Sequence, residues 1–220
     1  AAASTLAGCA PSPLALLRRG DAGSPDLADA AGRTHQPGAK PLDPHAPRLV
    51  HRAAHGADRP APCKHGLEAE PRSAWHAGDP IRSRLQPMGA VRRVTVHHEG
   101  SPRGNWDVTR TQVARTLKRI QSEHRRRMRA GDIGYHYVID RRGRVWEGRP
   151  YYFQGAHVAG QNAMNMGLMV LGNFEVQEPT PRQIASLNTL CHMLLAGYGI
   201  PATRLYMHRE LGCTCCPGKH

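Results

Sequence analysis

Tyr135-His136-Tyr137-Val138-Ile139, then Asp140-Arg141-Arg142-Gly143, then Arg144-Val145-Trp146-Glu147, is the stretch that decides the fold. Its outer runs are rich in β-branched and aromatic residues, and the four residues between them are polar and end in glycine. The spacing predicts a strand, a tight turn and a returning strand. Upstream, Val91, Val94 and Val96 predict a short apolar strand that runs into His97-His98. Between these strands, Asp107 or Thr109 is placed to cap a helix. Within it Val113, Leu117, Ile120, His124 and Met128 recur at steps of three and four and form one buried stripe. Arg115, Lys118, Arg119, Arg125, Arg126 and Arg129 fall on the opposite face, as a solvated charge run does. Downstream, Gly167 to Leu171 is a continuous apolar run, consistent with a buried central strand. Thr180-Pro181 opens a second helix with the stripe Ile184, Leu187, Leu190, Cys191, Leu194 and Leu195, and Gly197 and Gly199 are its stop signals. Leu205-Tyr206-Met207 is a last strand that delivers His208. The order β-α-β-β-β-α-β predicts an α/β domain with a mixed central sheet flanked by helices.

The 220 residues suffice for one good-sized core. Apolar periodicity is confined to the last two thirds. Residues 1–68 are interrupted by Pro11, Pro13, Pro25, Pro37, Pro41, Pro44, Pro47, Pro60 and Pro62, and they show no sustained period. Such a segment cannot bury enough apolar surface to offset its ordering entropy, so it is expected to be a long disordered N-terminal tether. Structure is expected to begin near Pro71-Arg72-Ser73-Ala74-Trp75 within a domain spanning 69–220. Leu6-Ala7-Gly8-Cys9 resembles the end of a bacterial lipoprotein signal, which would make Cys9 a lipid anchor. No apolar run reaches bilayer-spanning length. The formal net charge of +13 implies attraction to polyanions, either nucleic acid or the phosphate and carboxylate polymers of bacterial envelopes.

Among fourteen histidines and six cysteines, a few are positioned for chemistry. His97 ends a buried strand, where a side chain can be held rigidly, although a structural histidine fits the same position. His208 follows a short strand, and Cys216 comes eight residues later, before Pro217-Gly218. Imidazole and thiolate are both zinc donors, and three protein ligands leave a fourth tetrahedral position open, as in a catalytic site. Cys213 and Cys215 could compete for the metal, pair with Cys63 or stay free. On a regular strand His98 points away from His97. Cys191, among leucines, reads as a small core residue. Tyr135, His124 and Thr214 each have a plain alternative: a satisfied core tyrosine, a packed helix-stripe histidine and a loop cap.

From Pro71 to the end, about two thirds of the chain, the sequence resembles the peptidoglycan recognition proteins and the type 2 N-acetylmuramoyl-L-alanine amidases. The resemblance rests on Pro71-Arg72-Ser73-Ala74-Trp75, Val96-His97-His98, Asp132-Ile133-Gly134-Tyr135-His136-Tyr137, Gly155-Ala156-His157, Asn165-Met166-Gly167-Leu168, and His208-Arg209-Glu210 through Cys216-Pro217-Gly218. It implies one Zn2+ held by His97, His208 and Cys216, and catalytic roles for Tyr135 and Thr214. It also implies contacts from His124, His157 and Asn162 to the sugar or stem peptide. The implied reaction is hydrolysis of the amide between N-acetylmuramic acid and L-alanine, and the alternative is a non-catalytic peptidoglycan-binding module of the same fold. The implied partners are peptidoglycan or muropeptides, met by a monomer in the cell envelope, periplasmic or lipid-anchored, or outside the cell. Arg129-Ala130 matches neither familiar pair at the position that helps choose the third stem-peptide residue, and relatives continue past the position of His220 into a further helix. A zinc-bearing nucleic-acid binder fits poorly: Cys213, Cys215 and Cys216 lack zinc-finger spacing, and the basic residues lack interleaved aromatics.

Overall fold

The computed structural model describes residues 67–220. The expected tether lies outside the described residues except for its last two positions, and Cys9 and Cys63 lie outside them entirely. The order is β1 (Ala69–Glu70), β2 (Arg93–His98), α1 (Arg110–Arg127), β3 (Tyr137–Ile139), β4 (Val145–Glu147), β5 (Asn165–Val170), α2 (Pro181–Tyr198) and β6 (Leu205–Met207). The six strands form one sheet in the order β1-β4-β3-β5-β2-β6. Only the β3–β4 pair, closed by the turn at Asp140–Gly143, is antiparallel, so the sheet is mixed.

β5 lies in the middle, and both of its faces are covered. Met166, Leu168 and Val170 face α2 together with Val94, Val96 and Ile139, against Leu187, Leu190, Cys191 and Leu194. Met169 and Leu171 face α1 together with Val138 and Trp146, against Val113, Leu117 and Ile120. Burial on both sides is why β5 reads as an unbroken apolar run, and each such side chain contributes about 1.5–3 kcal/mol on leaving water. Both helices start with a capping box, Thr109 with Gln112 and Thr180 with Gln183. Gly199 closes α2 at φ 61°, a left-handed conformation that suits glycine.

Several expectations need correction. β1 precedes Pro71 and pairs in parallel with β4; two residues are too short to show a period. Tyr135 and His136 stand outside β3. The N–H groups of Gly148 and Arg149 reach the successive carbonyls of His136 and Tyr135, which breaks the every-second-residue ladder pattern. Tyr135 accordingly packs on the α1 side while Tyr137 packs on the α2 side. Met128 leaves the α1 stripe for solvent because the helix ends there and Arg129 turns left-handed at φ 52°. Ile184 is likewise exposed: Gln183 turns inward, its Oε1 accepting from the Thr180 N–H and its Nε2 donating to the Leu171 carbonyl. The basic face of α1 is only partly free. Arg119 pairs with Glu99 and Glu123, and Arg125 donates to the carbonyls of Gly78 and Asp79.

Candidate metal centre and cleft

The parallel pairing of β2 with both β5 and β6 brings the C-terminal ends of β2 and β6 side by side, where His97 and His208 sit. The segment after His208 folds back: the Arg209 N–H donates to the Cys216 carbonyl at 2.9 Å, and its Nη1 to the Gly218 carbonyl at 2.9 Å. That return closes the eight-residue gap. Ligand atoms of His97, His208 and Cys216 all lie within 4.8 Å of one another, and they form the one such group among the described residues. Cys213 and Cys215 are exposed and belong to no such group.

The protonation pattern follows from partners. His157 Nε2 lies 3.2 Å from the Asn165 carbonyl, which can only accept, so that nitrogen carries the proton. Burial holds His157 neutral, with its pKa down to about 3. Its Nδ1 is therefore bare and accepts from His97 Nε2 at 3.0 Å. His97 is also kept neutral by burial, with the nearby histidines adding to the effect. Its Nδ1 thus presents a lone pair, 3.8 Å from Cys216 Sγ. A ligand histidine whose second nitrogen is anchored in this way is a recurrent feature of metal sites. The His157 ring fits because Gly155 and Gly167 flank it: a Cβ at either position would come within 2.6 Å of ring atoms.

Cys216 is buried, which pushes its thiol up to about 11, against the opposing effects of the His98 N–H and Arg209. The His98 N–H reaches its sulfur at 3.4 Å. A bound cation would reverse the protonation preference, since a coordinating thiol is deprotonated outright. As expected from alternation, the His98 ring turns elsewhere, and its Nδ1 accepts from the Phe174 N–H.

Tyr135 stands against this centre, its ring centroid 5.1 Å from that of His97. Burial first, then Cys216 and Glu99, keep its hydroxyl protonated far above neutral pH. Tyr135 and His124 line a cleft of about 220 Å³ with Glu99, Gly100, Ser101 and Glu123. His124 Nδ1 accepts from the Gly134 N–H at 2.8 Å. Burial lowers its pKa, so the neutral ring carries its proton on Nε2. The Thr214 hydroxyl accepts from the Cys216 N–H at 3.2 Å and so caps the turn that carries Cys216.

Two expected ligand contacts have other bonds here. Both ring nitrogens of His157 are engaged by His97 and Asn165, which leaves none for a sugar or peptide. Asn162 Oδ1 accepts from the N–H groups of His157 and Val158, and so shapes the loop that carries His157. Sequence reasoning missed Glu99, a carboxylate directly after the strand-end histidines. It lines the cleft, bound by Arg119 at 2.9 Å and Asn105 at 2.7 Å, and burial raises its pKa despite both partners. Its adjacency to His97-His98 at a strand end was the available signal.

A mixed sheet that gathers His97 and His208 at its strand ends, with the Cys216 thiol folded back beside them next to a polar cleft, defines an α/β domain with three side chains grouped as candidate metal donors. The comparisons make that class specific. The pattern of the N-acetylmuramoyl-L-alanine amidase family matches residues 87–219. Peptidoglycan-recognition protein SC2 of Drosophila simulans is 31% identical over 154 residues, covering 70% of this chain and 82% of its own length. Human N-acetylmuramoyl-L-alanine amidase is 34% identical over 155 residues, covering 67% of this chain but only 26% of its own length. The solved structure of peptidoglycan recognition protein-LE in complex with tracheal cytotoxin, a monomeric diaminopimelic acid-type peptidoglycan, is similar with a TM-score of 0.61 and 27% identity. That match covers 69% of this chain and 88% of the other. The chain belongs to the type 2 N-acetylmuramoyl-L-alanine amidase and peptidoglycan-recognition protein family.

Proposed function

We propose that the domain spanning 69–220 is a zinc-dependent amidase that cleaves between the lactyl group of N-acetylmuramic acid and the first alanine of the stem peptide. The observation that carries this reading is the convergence of His97, His208 and Cys216 beside a cleft that also holds Tyr135. The donor set suits one zinc ion: two neutral imidazoles and a thiol, with three protein ligands leaving a tetrahedral corner open. When bound there, zinc supplies Lewis acidity toward a carbonyl and activates water near neutral pH.

The chain's own residues supply the rest. His157 and Asn165 hold His97 in the tautomer that directs a lone pair inward. The His98 N–H steadies charge on the Cys216 sulfur. Tyr135 keeps its proton and serves as a hydrogen-bond donor to the oxyanion that develops on the lactyl carbonyl. Thr214 accepts one bond from Cys216 and retains its own hydroxyl proton to donate to the same oxygen. His124 offers Nε2–H to the sugar or stem peptide along the cleft. Asn162 acts by holding the loop of His157. The proton released by the attacking water reaches the departing alanine nitrogen through water or Tyr135, which ends the reaction protonated.

The substrate partner is peptidoglycan or muropeptides, with no role for nucleic acid. The enzyme acts as a monomer in the cell envelope or outside the cell, with residues 1–68 as tether and Cys9 as the candidate anchor. Among the described residues no helix is long and apolar enough to cross a membrane. The competing reading is recognition of peptidoglycan without cleavage, suggested by the names of relatives such as protein SC2. Mass spectrometry of purified muropeptides after incubation with the zinc-loaded protein separates the two. Release of free stem peptide by the parent and its loss in Cys216→Ala is the expected result. Intact muropeptides with the parent, or full activity in Cys216→Ala with Cys213 and Cys215 present, would overturn the amidase reading or the ligand assignment respectively.

A further inference from the structure

The loop that forms one wall of the cleft, Glu99 to Pro102, continues within a few residues to Trp106. Trp106 is 65% exposed, whereas Trp75 and Trp146 are at 0%. A large ring left in water by a loose loop would mean little, but this loop is firmly held. Asn105 is buried: its N–H donates to Gln177 Oε1, its carbonyl accepts from Gln177 Nε2, and its side chain donates to Glu99. The indole N–H is tied to the Arg103 carbonyl at 3.3 Å. The Arg141 guanidinium sits 5.0 Å from the ring centroid. One face is thus backed by a cation, the edge is anchored, and the remaining surface is turned to solvent beside exposed Val108 on its own segment.

We propose that Trp106 is a stacking platform for the glycan strand of the substrate, extending the cleft to the N-acetylhexosamine units that flank the cleaved linkage. The inference rests on peptidoglycan being the substrate. A pyranose presents a flat C–H face that matches an indole ring, and the methyl of an acetamido group adds apolar area that a charged or purely peptidic ligand lacks. A ring held in place before the ligand arrives loses little conformational entropy on binding, which is what a subsite for a repetitive, weakly binding polymer requires. Trp106 stands four residues beyond the cleft residue Pro102, on a segment bonded through Asn105 to the cleft residue Glu99, and exposed apolar surface so placed commonly marks ligand contacts. The Arg141 guanidinium, by covering one face, leaves a single face for the sugar and sets its orientation.

The test uses the chain's own tryptophans. Because the other two are fully buried, emission changes on adding a soluble ligand report Trp106. The probe is the uncharged β-1,4-linked tetrasaccharide of N-acetylglucosamine, which contains no scissile lactyl-alanine amide. The expected result is a saturable blue shift of emission at millimolar sugar, absent in Trp106→Ala. On polymeric peptidoglycan, Trp106→Ala is expected to raise KM roughly tenfold, the size of loss that follows removal of an anchoring tryptophan. Neither kcat nor the KM for a single muramyl-peptide changes, and Trp106→Phe restores most of the difference. An unchanged emission spectrum, or equal KM values on the polymer, overturns the proposal. A sugar-dependent shift in a protein that cleaves nothing leaves the subsite standing and removes the amidase reading instead.

Discussion

Replacing His157 with alanine should weaken zinc binding without touching any of the three donors. The imidazole accepts from His97 Nε2 at 3.0 Å and donates to the Asn165 carbonyl at 3.2 Å, wholly within the protein. Deleting it leaves a buried N–H on His97 without a partner, at a cost of ~1–3 kcal/mol. It also frees His97 to turn or to adopt the other tautomer, which places the proton on the nitrogen that faces Cys216. Loss of such an outer partner typically lowers metal affinity ~10–100-fold, equivalent to ~1.4–2.7 kcal/mol. The assay is competition for zinc against a chromophoric chelator near neutral pH, run on the parent, His157→Ala and His98→Ala. His98 is the matched control, adjacent in sequence with its ring bonded to the Phe174 N–H away from the donors. Urea unfolding of the zinc-free proteins separates the stability cost from the affinity cost. A zinc affinity of His157→Ala within twofold of the parent, in a protein that folds, would refute the relay from Asn165 through His157 to His97.

Tyr135→Phe is expected to keep stoichiometric zinc and lower kcat ~100–1000-fold, the typical effect of losing one oxyanion donor; unchanged kcat would remove Tyr135 from the chemistry. Zinc-free stability should fall on acidification because His136 is buried neutral, donating from Nε2 to the Phe153 carbonyl and accepting at Nδ1 from the Gly167 N–H. Burial depresses its pKa from 6.5 to about 4, so the unfolded chain takes up the proton first. The share from His136 is complete above about pH 6.5 and is lost as pH drops toward 4, by about 3 kcal/mol, and His97 and His157, also buried neutral, add to the loss in the same direction. Urea midpoints measured across that window check it, and a flat profile would show that these buried histidines, His136 among them, do not resist protonation.

Element types were largely legible from the sequence because period and punctuation are local properties. Thr109 and Thr180 each precede a glutamine by three residues, and Gly199 ends the second helix as its position suggested. The continuous apolar run at 167–171 falls on the central strand Asn165–Val170 and the residue after it, since a strand buried on both faces needs no polar alternation. The failures came where tertiary bonding overrides local pattern. Ile184 sits on the periodic stripe, yet the inward turn of Gln183 to Leu171 and Thr180 leaves it exposed. Tyr135 reads as strand, yet bonds from Gly148 and Arg149 to successive carbonyls turn it toward His97.

By itself the sequence determined which side chains could serve as metal donors and where the two long helices and the strands after Pro71 lie, because these depend on residue type and spacing within one segment, whereas the two-residue β1 and the exposure of Met128 and Ile184 were not legible. Only the tertiary structure decided that His97, His208 and Cys216 meet, that Cys213 and Cys215 do not join them, and that His157 stands behind a donor with both nitrogens engaged. The reason is that strand order and the return of the chain at Arg209 are settled by contacts across more than a hundred residues, between β2 and the C-terminal segment, and no local pattern encodes them.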